Sequence, residues 1–264
     1  MPGRSESVPF EDIVRLTDVI QFVPPVECMH VYAVVNRVRD ICINQDSVHE
    51  IVKWETLRDE LSVDFESLTA VVNSPRKVRH SLRCAYQAWE KGLAGEVNWY
   101  DLFILNALRL SASSVWYFLV QWRRKLLDGD NNGLGAIWDK IIDQHNLDEI
   151  EVPLINTIRF IFPGFLGGED KRNTVQRICE DRYWYRALNE LVPNQEVRDQ
   201  QVLKDLQQFF FESNENPLHE GLKQYGEEYK KVLVMWMEKF AEYAKEKEID
   251  QVDQKLDQLK KIIA

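Results

Sequence analysis

The run Asn73-Ser74-Pro75-Arg76-Lys77-Val78-Arg79-His80 sets a cation at a helix start, where the backbone favours an anion. Ser74 has the side chain of an N-cap, and Pro75 suits the first helical position, whose N–H has no intrahelical partner in any case. Arg76 then falls in the first turn, against the positive end of the helix dipole. The cost is about 0.3 to 1 kcal/mol, and it vanishes when a phosphate occupies the same end. The chemistry this spacing allows is phosphate recognition by a guanidinium fork. A plain solvated face accounts for the same letters, because the helix-end effect is small and screened by salt.

Two other groupings carry chemistry on paper. Asp128, Asp130, Asn132, Gly133 and Asp139 stand at calcium-loop positions 1, 3, 5, 6 and 12. Asp139 is too short for the usual bidentate contact, Gly135 replaces the apolar residue at position 8, and no second hand follows. An Asp/Asn/Gly turn between helices explains the same residues, and both readings stand at this point. Further on, Lys171, Arg172, Arg177, Arg182 and Arg186 interleave with Tyr183, Trp184 and Tyr185, as in a stacking track for single-stranded nucleic acid. Four acidic residues in the same segment leave it at only +1, so a helix with an aromatic core face is the expectation. No G-x-S-x-G or H-E-x-x-H occurs, the histidines (His30, His49, His80, His145, His219) are isolated, and no glycine is followed by Lys-Ser or Lys-Thr, so the sequence holds no phosphate loop.

Helices must position these groups. Val78, Leu82, Ala85, Tyr86 and Trp89 make an apolar stripe on the helix that Pro75 opens, and Arg76, Arg79 and Arg83 make a basic stripe about 120° away at 100° per residue. Helical periods also run over residues 27–43, through Leu57, Leu61, Phe65 and Leu68, and over 98–111, 115–127, 136–145, 151–161, 171–190 and 196–211. Asn98 with Asp101 resembles a capping box. Residues 213–217 look like a linker. Beyond it, Tyr229, Leu233, Trp236, Phe240 and Tyr243, then Ile249, Val252, Leu256, Leu259 and Ile263, keep a/d spacing with a phase slip between 243 and 249, which predicts a pair of amphipathic helices packing on the body. Only 18–23, before Pro24-Pro25, reads as a strand. The expectation is an all-α, multi-helix array with at most one or two short N-terminal strands. Its segments are 1–25, 26–94, 95–212 and 213–264.

With 264 residues, 45% of them apolar, the chain is long enough for a substantial core. Its net charge of −10, from 43 acidic and 33 basic residues, disfavours nucleic acid and anionic membrane surfaces as partners. Cys28, Cys42, Cys84 and Cys179 show no zinc spacing and read as reduced, buried thiols. Without an apolar leader or any run of 18 apolar residues, the expectation is a cytoplasmic protein with no membrane insertion.

Several landmarks in order resemble the C-terminal part of the KAP family of P-loop NTPases, a group similar to the STAND and AAA+ ATPases. They are Val19-Ile20-Gln21 to Pro24-Pro25; Ser74-Pro75-Arg76-Lys77-Val78; Glu96-Val97-Asn98 with Asp101-Leu102 and Ala107-Leu108-Arg109; Phe162-Pro163; and Arg177-Ile178 followed by Tyr183-Trp184-Tyr185-Arg186. Lys77 stands where the family has an acid, and Asn106 where glutamate is common. The resemblance implies that residues 1–25 hold a remnant of the core edge and connector, and that the rest is the helical lid and C-terminal region of such an enzyme. Only 18 residues precede Val19, too few for a P-loop core built of βαβ units. It further implies that Arg76 resembles a sensor-2 arginine reaching for the nucleotide's γ-phosphate, with Arg79 and Arg83 as a supporting stripe. A P-loop NTPase core, in cis or in trans, is the implied partner. ATP and Mg²⁺ belong to the full family architecture, and for this chain alone no cofactor, catalytic residue, metal ligand or activity is expected. Family members act as regulatory switches, including in defence against phage. The alternative expectation is a stand-alone helical interaction module with no nucleotide role, using the basic stripe or the 217–264 helices to hold a partner or a second copy.

Overall fold

A computed structural model describes residues 27–60, 63–168 and 175–263. Among these the chain is all-α, with fourteen α-helices and no strand. The strand expected over 18–23 lies outside the described residues.

The centre of the molecule is α5 (Trp99–Ser111), after α1 (Cys28–Ile43), α2 (Glu50–Asp59), α3 (Phe65–Val72) and α4 (Pro75–Ala88). Every residue of α5 from Trp99 to Leu108 is buried, because the stretch is apolar on every face except at Asp101 and Asn106, which are hydrogen-bonded, and other helices surround it. The α4 helix lies along α5, burying Val78, Leu82 and Ala85 of its apolar stripe. It runs into a π-helical turn over Trp89–Leu93, where Gly92 takes a φ of 142° that only glycine adopts freely. The α1 and α3 helices pack on each other and on α4. After α6 (Ser113–Gln121), α7 (Arg123–Leu127) and α8 (Leu134–His145), α9 (Glu151–Ile161) returns to pack on α3 and α5.

The remaining helices are α10 (Asp181–Asn189), α11 (Asp199–Glu212), α12 (Asn216–Tyr225), α13 (Glu227–Glu246) and α14 (Val252–Ile263). Tyr229, Leu233, Trp236, Phe240 and Tyr243 of α13 are buried inside the chain, where α13 packs on α11, α12, α14 and α2. The α13 part of the face through which residues 217–264 could hold a second copy is therefore occupied intramolecularly. On α2, the Trp54 indole donates to Glu246 at 2.5 Å, Arg58 sits 4.3 Å over the Trp54 ring, and Lys239 lies 3.6 Å from buried Glu55. One continuous apolar core runs from Val31 to Leu259.

Gly221 of α12 lets that helix approach the ring of buried Tyr229, which is pinned by a 2.6 Å hydrogen bond from its hydroxyl to Asp205. A Cβ at 221 would fall 2.3 Å from a ring carbon. Gly221→Ala is expected to destabilise the chain by about 1 to 3 kcal/mol despite alanine's better helix propensity, because the ring cannot yield. Thermal melting of the variant checks this.

The structure departs from the sequence-based expectations at element boundaries. The period through Leu57, Leu61, Phe65 and Leu68 is not one helix: α2 ends at Asp59, Leu57 is 48% exposed, and Asp64 caps a new helix by accepting from Ser67 N at 3.0 Å. The helix expected over 171–190 begins only at Asp181, since Gln176 has positive φ and residues 175–180 form a turn; 171–174 lie outside the described residues. The segment 115–127 breaks at Trp122 into α6 and α7. In place of a linker at 213–217, Ser213 ends α11 in a left-handed conformation, and α12 begins at Asn216 with Pro217 in its first turn. The phase slip near 243–249 does mark a break, with Glu248 and Gln251 both at positive φ between α13 and α14.

Candidate functional site

At the start of α4, Ser74 Oγ accepts from Lys77 N at 3.3 Å, Pro75 occupies the first turn, and no acidic side chain shares that turn. Asn73, left-handed at the end of α3, accepts from Lys77 Nζ at 3.1 Å, so the lysine ammonium is also held at the start of α4. Arg76 is exposed, and among the described residues no hydrogen bond or ion pair holds it. Arg79 and Arg83 are half-buried, and each is engaged by another group. The three arginines thus share a helix but not an environment. Of the three, only Arg76 is presented to solvent, at a helix end where Pro75 has no N–H, Ser74 takes the amides of Lys77 and Val78, and the Arg76 amide alone is left open among the described residues.

The charged residues among the family landmarks have a different fate. Arg109 is exposed, but Glu96, Asp101, Arg177 and Arg186 are buried and form two ion pairs. Asp101 Oδ2 accepts from Arg177 Nε at 3.2 Å and from Ile178 N at 2.9 Å, and Arg177 Nη2 donates to the carbonyls of Phe160 and Ile161 at 2.6 and 3.1 Å. Asp101 does not complete a capping box with Asn98. Asn98 Oδ1 accepts from Asp101 N at 3.1 Å, but the Asn98 N–H goes to Gln176 O, and its side-chain amide donates to buried Asp59.

Beside this pair, Arg186 reaches five acceptors: Asp199 Oδ1 at 2.8 Å, Glu96 Oε2 at 3.1 Å, the Glu96 carbonyl at 3.0 Å, Glu196 Oε2 at 3.0 Å and the Val197 carbonyl at 3.0 Å. Burial alone would lower its pKa, but Asp199 and Glu96 raise it above the ordinary arginine value. Asp199 Oδ2 accepts from the Tyr183 hydroxyl at 2.7 Å, the Trp236 indole at 2.8 Å and Gln176 Nε2 at 3.2 Å. Burial and the Asp199 charge push the Tyr183 phenol well above its usual range. Arg177, Arg182 and Arg186 therefore serve the interior and its edge, while Tyr183 and Trp184 are fully buried, as an aromatic core face requires.

The sequence pattern did not expose Asp199, Gln176 or Trp236 as members of this network. Asp199 looks like an ordinary first-turn acid, and only the surplus of landmark charges beside buried helices hinted that partners were needed.

The 128–139 loop is tied into the fold. Asn131 donates to Gly164 O at 2.8 Å and accepts from Leu166 N at 3.1 Å, while Lys125 Nζ donates to Asn132 O at 2.6 Å and lies 3.5 Å from Asp130. These contacts are those of a clipped turn, with lysine supplying the positive charge. Among the described residues, no three His, Cys, Asp or Glu side chains converge as metal ligands. Cys42 is buried, and burial lifts its thiol to about 12. Cys28, Cys84 and Cys179 are only half-buried, contrary to expectation. His49 caps α2, accepting from Ile51 N at 3.3 Å, a structural role. Among the described residues no helix is long and apolar enough to cross a membrane.

No family model, curated protein or solved structure matches this chain.

Proposed function

We propose that the chain is the helical lid and C-terminal part of a KAP-type P-loop NTPase, coupling nucleotide state to conformation and partner binding without catalysis of its own. The observation that carries this reading is Arg76: an exposed guanidinium at a capped, Pro-initiated helix end with no acidic neighbour in the first turn. A group so placed gains most from a phosphate arriving along the helix axis. Two features support it. The α4 helix packs against α1, the first described helix after the 1–25 segment that the resemblance reads as connector. The landmark residues at 96, 101, 177 and 186 also form two buried ion pairs, Glu96–Arg186 and Asp101–Arg177, as expected if they maintain the shape of a lid.

The test supplies a P-loop core of this family, by fusion or in trans, and follows ATP-dependent closure or hydrolysis. Arg76→Ala should weaken that response by about 1.5 to 3 kcal/mol, the worth of a charge-assisted contact, and leave the thermal melt nearly unchanged. Arg79→Ala and Arg83→Ala should do much less to the nucleotide response. Equal responses from all three substitutions, or none from Arg76→Ala in a complex that responds to nucleotide, would assign the stripe to docking or to solvent.

A further inference from the structure

Glu96 acts as the cap of a helix far away in sequence. Its Oε2 accepts from Asp199 N at 2.9 Å and its Oε1 from Gln200 N at 3.3 Å, the first two amides of α11. The same Oε2 is 3.1 Å from Arg186 Nη1, which also lies 2.8 Å from Asp199 Oδ1. Two fully buried carboxylates thus converge on one guanidinium nitrogen, from the loop before α5 and from the start of α11.

The surroundings do not neutralise the second negative charge. From α10, Arg182 reaches Asp199 only at 3.9 Å and Glu196 at 3.8 Å, and Glu196 in the preceding loop already binds Arg186 Nε. Glu180, at the N-cap of α10, adds another carboxyl, with its pKa raised by burial and then by the Asp199 charge. The turn at Gln176 gives a neutral amide, and α10 also gives the neutral Tyr183 hydroxyl. The α13 helix gives the neutral Trp236 indole, and its Lys231 is paired with its own Glu228 at 2.8 Å.

We propose that Glu96, Arg186 and Asp199 form a proton-sensitive clasp that fastens α10, α11 and α13 to the loop before α5, closing more firmly with one proton on its two carboxylates than with none. The proposal does not depend on the nucleotide reading. A buried surplus anion costs several kcal/mol, and one proton removes it while leaving an oxygen to accept from the α11 amides. Burial first, and the neighbouring Asp199 second, raise the Glu96 carboxyl from its ordinary 4.5 to about 7. The folded chain then binds more protons than the unfolded one between those values. The stability from Glu96 is fully present below pH 4.5 and is lost as pH rises through about 7.

Apparent melting temperatures of the full chain and of Glu96→Gln, measured from about pH 5.5 to 8.5, test the clasp. Glutamine keeps the shape and an accepting oxygen but does not titrate, and the other shifted carboxyls are common to both chains. At the acid end, about one unit above the ordinary carboxylate value, Glu96→Gln should already lead slightly. Glu96→Gln should gain on the parent by about 4 °C or more at the alkaline end. Parallel curves, or a variant that falls further behind as pH rises, would overturn the proposal. If Glu96→Gln does not fold, the amide proton shifts of Asp199 and Gln200 in the unsubstituted chain report directly on the carboxyl they donate to. A titration midpoint near neutrality supports the clasp; a midpoint near the ordinary carboxylate value, or flat shifts, refutes it.

Discussion

Replacing Arg186 with methionine should destabilise the chain by about 3 to 5 kcal/mol, because it strands Glu96 and Asp199 in the interior without their shared cation. The thioether matches much of the length and none of the charge, so lost packing contributes little. Lysine should rescue only part of the loss. Its single ammonium cannot hold Glu96, Asp199, Glu196 and the Val197 carbonyl together as the planar fork does. Urea unfolding should show a lower midpoint with an unchanged slope, the mark of lost stability without a change in exposed surface. Combining Arg186→Met with Asp199→Asn should cost less than the sum of the two single changes, since each removes what the other leaves unpaired.

The second large effect is expected at Asp101→Ala, also about 3 to 5 kcal/mol. Asp101 is fully buried, and its removal leaves the Arg177 guanidinium, 3% exposed, with only the Phe160 and Ile161 carbonyls, while the Ile178 amide loses its acceptor. Asp101→Asn keeps an oxygen for that amide but no charge for the arginine, and should fall between the parent and alanine. The same unfolding measurement separates the three chains. A cost below 1 kcal/mol for alanine would mean that water or a neighbouring carboxylate takes over, Asp59 being the nearest candidate through Asn98.

Much of this architecture is legible along the chain, for a physical reason. A helix shows itself wherever its apolar face repeats at its own period, as with Val78, Leu82 and Ala85 on α4 or Tyr229, Leu233 and Trp236 on α13. Ser74 and Pro75 announce their helix start because the forces there are local. Breaks are less visible where neighbouring segments share a phase. Leu57 continues the period of Phe65 and Leu68, yet it faces solvent, because Asp64 restarts the helix and shifts its face. The interior network was hidden for the opposite reason. Nothing near Asp199 in sequence distinguishes it from a solvated first-turn acid, and its partners Gln176 and Trp236 lie 23 and 37 residues away. At Arg76, the helix-start geometry was readable from four letters. Its exposure, against the engagement of Arg79 and Arg83, needed the packed structure.

The long reach of Glu96 also bears on how the chain is made. The amide it caps belongs to Asp199, 103 residues later, so α11 cannot be closed at its first turn until both ends of that span have been synthesised. At a translation rate of roughly 5 to 20 residues per second, the two groups leave the ribosome about 5 to 20 seconds apart. During that interval α4 and α5 can already be packed, and the carboxylate between them faces water rather than a guanidinium. The nascent chain therefore carries its future fastening point as an ordinary surface acid. The step that seals it inside waits for the segment around Arg186 and Asp199, and the indole of Trp236 on α13 follows later still.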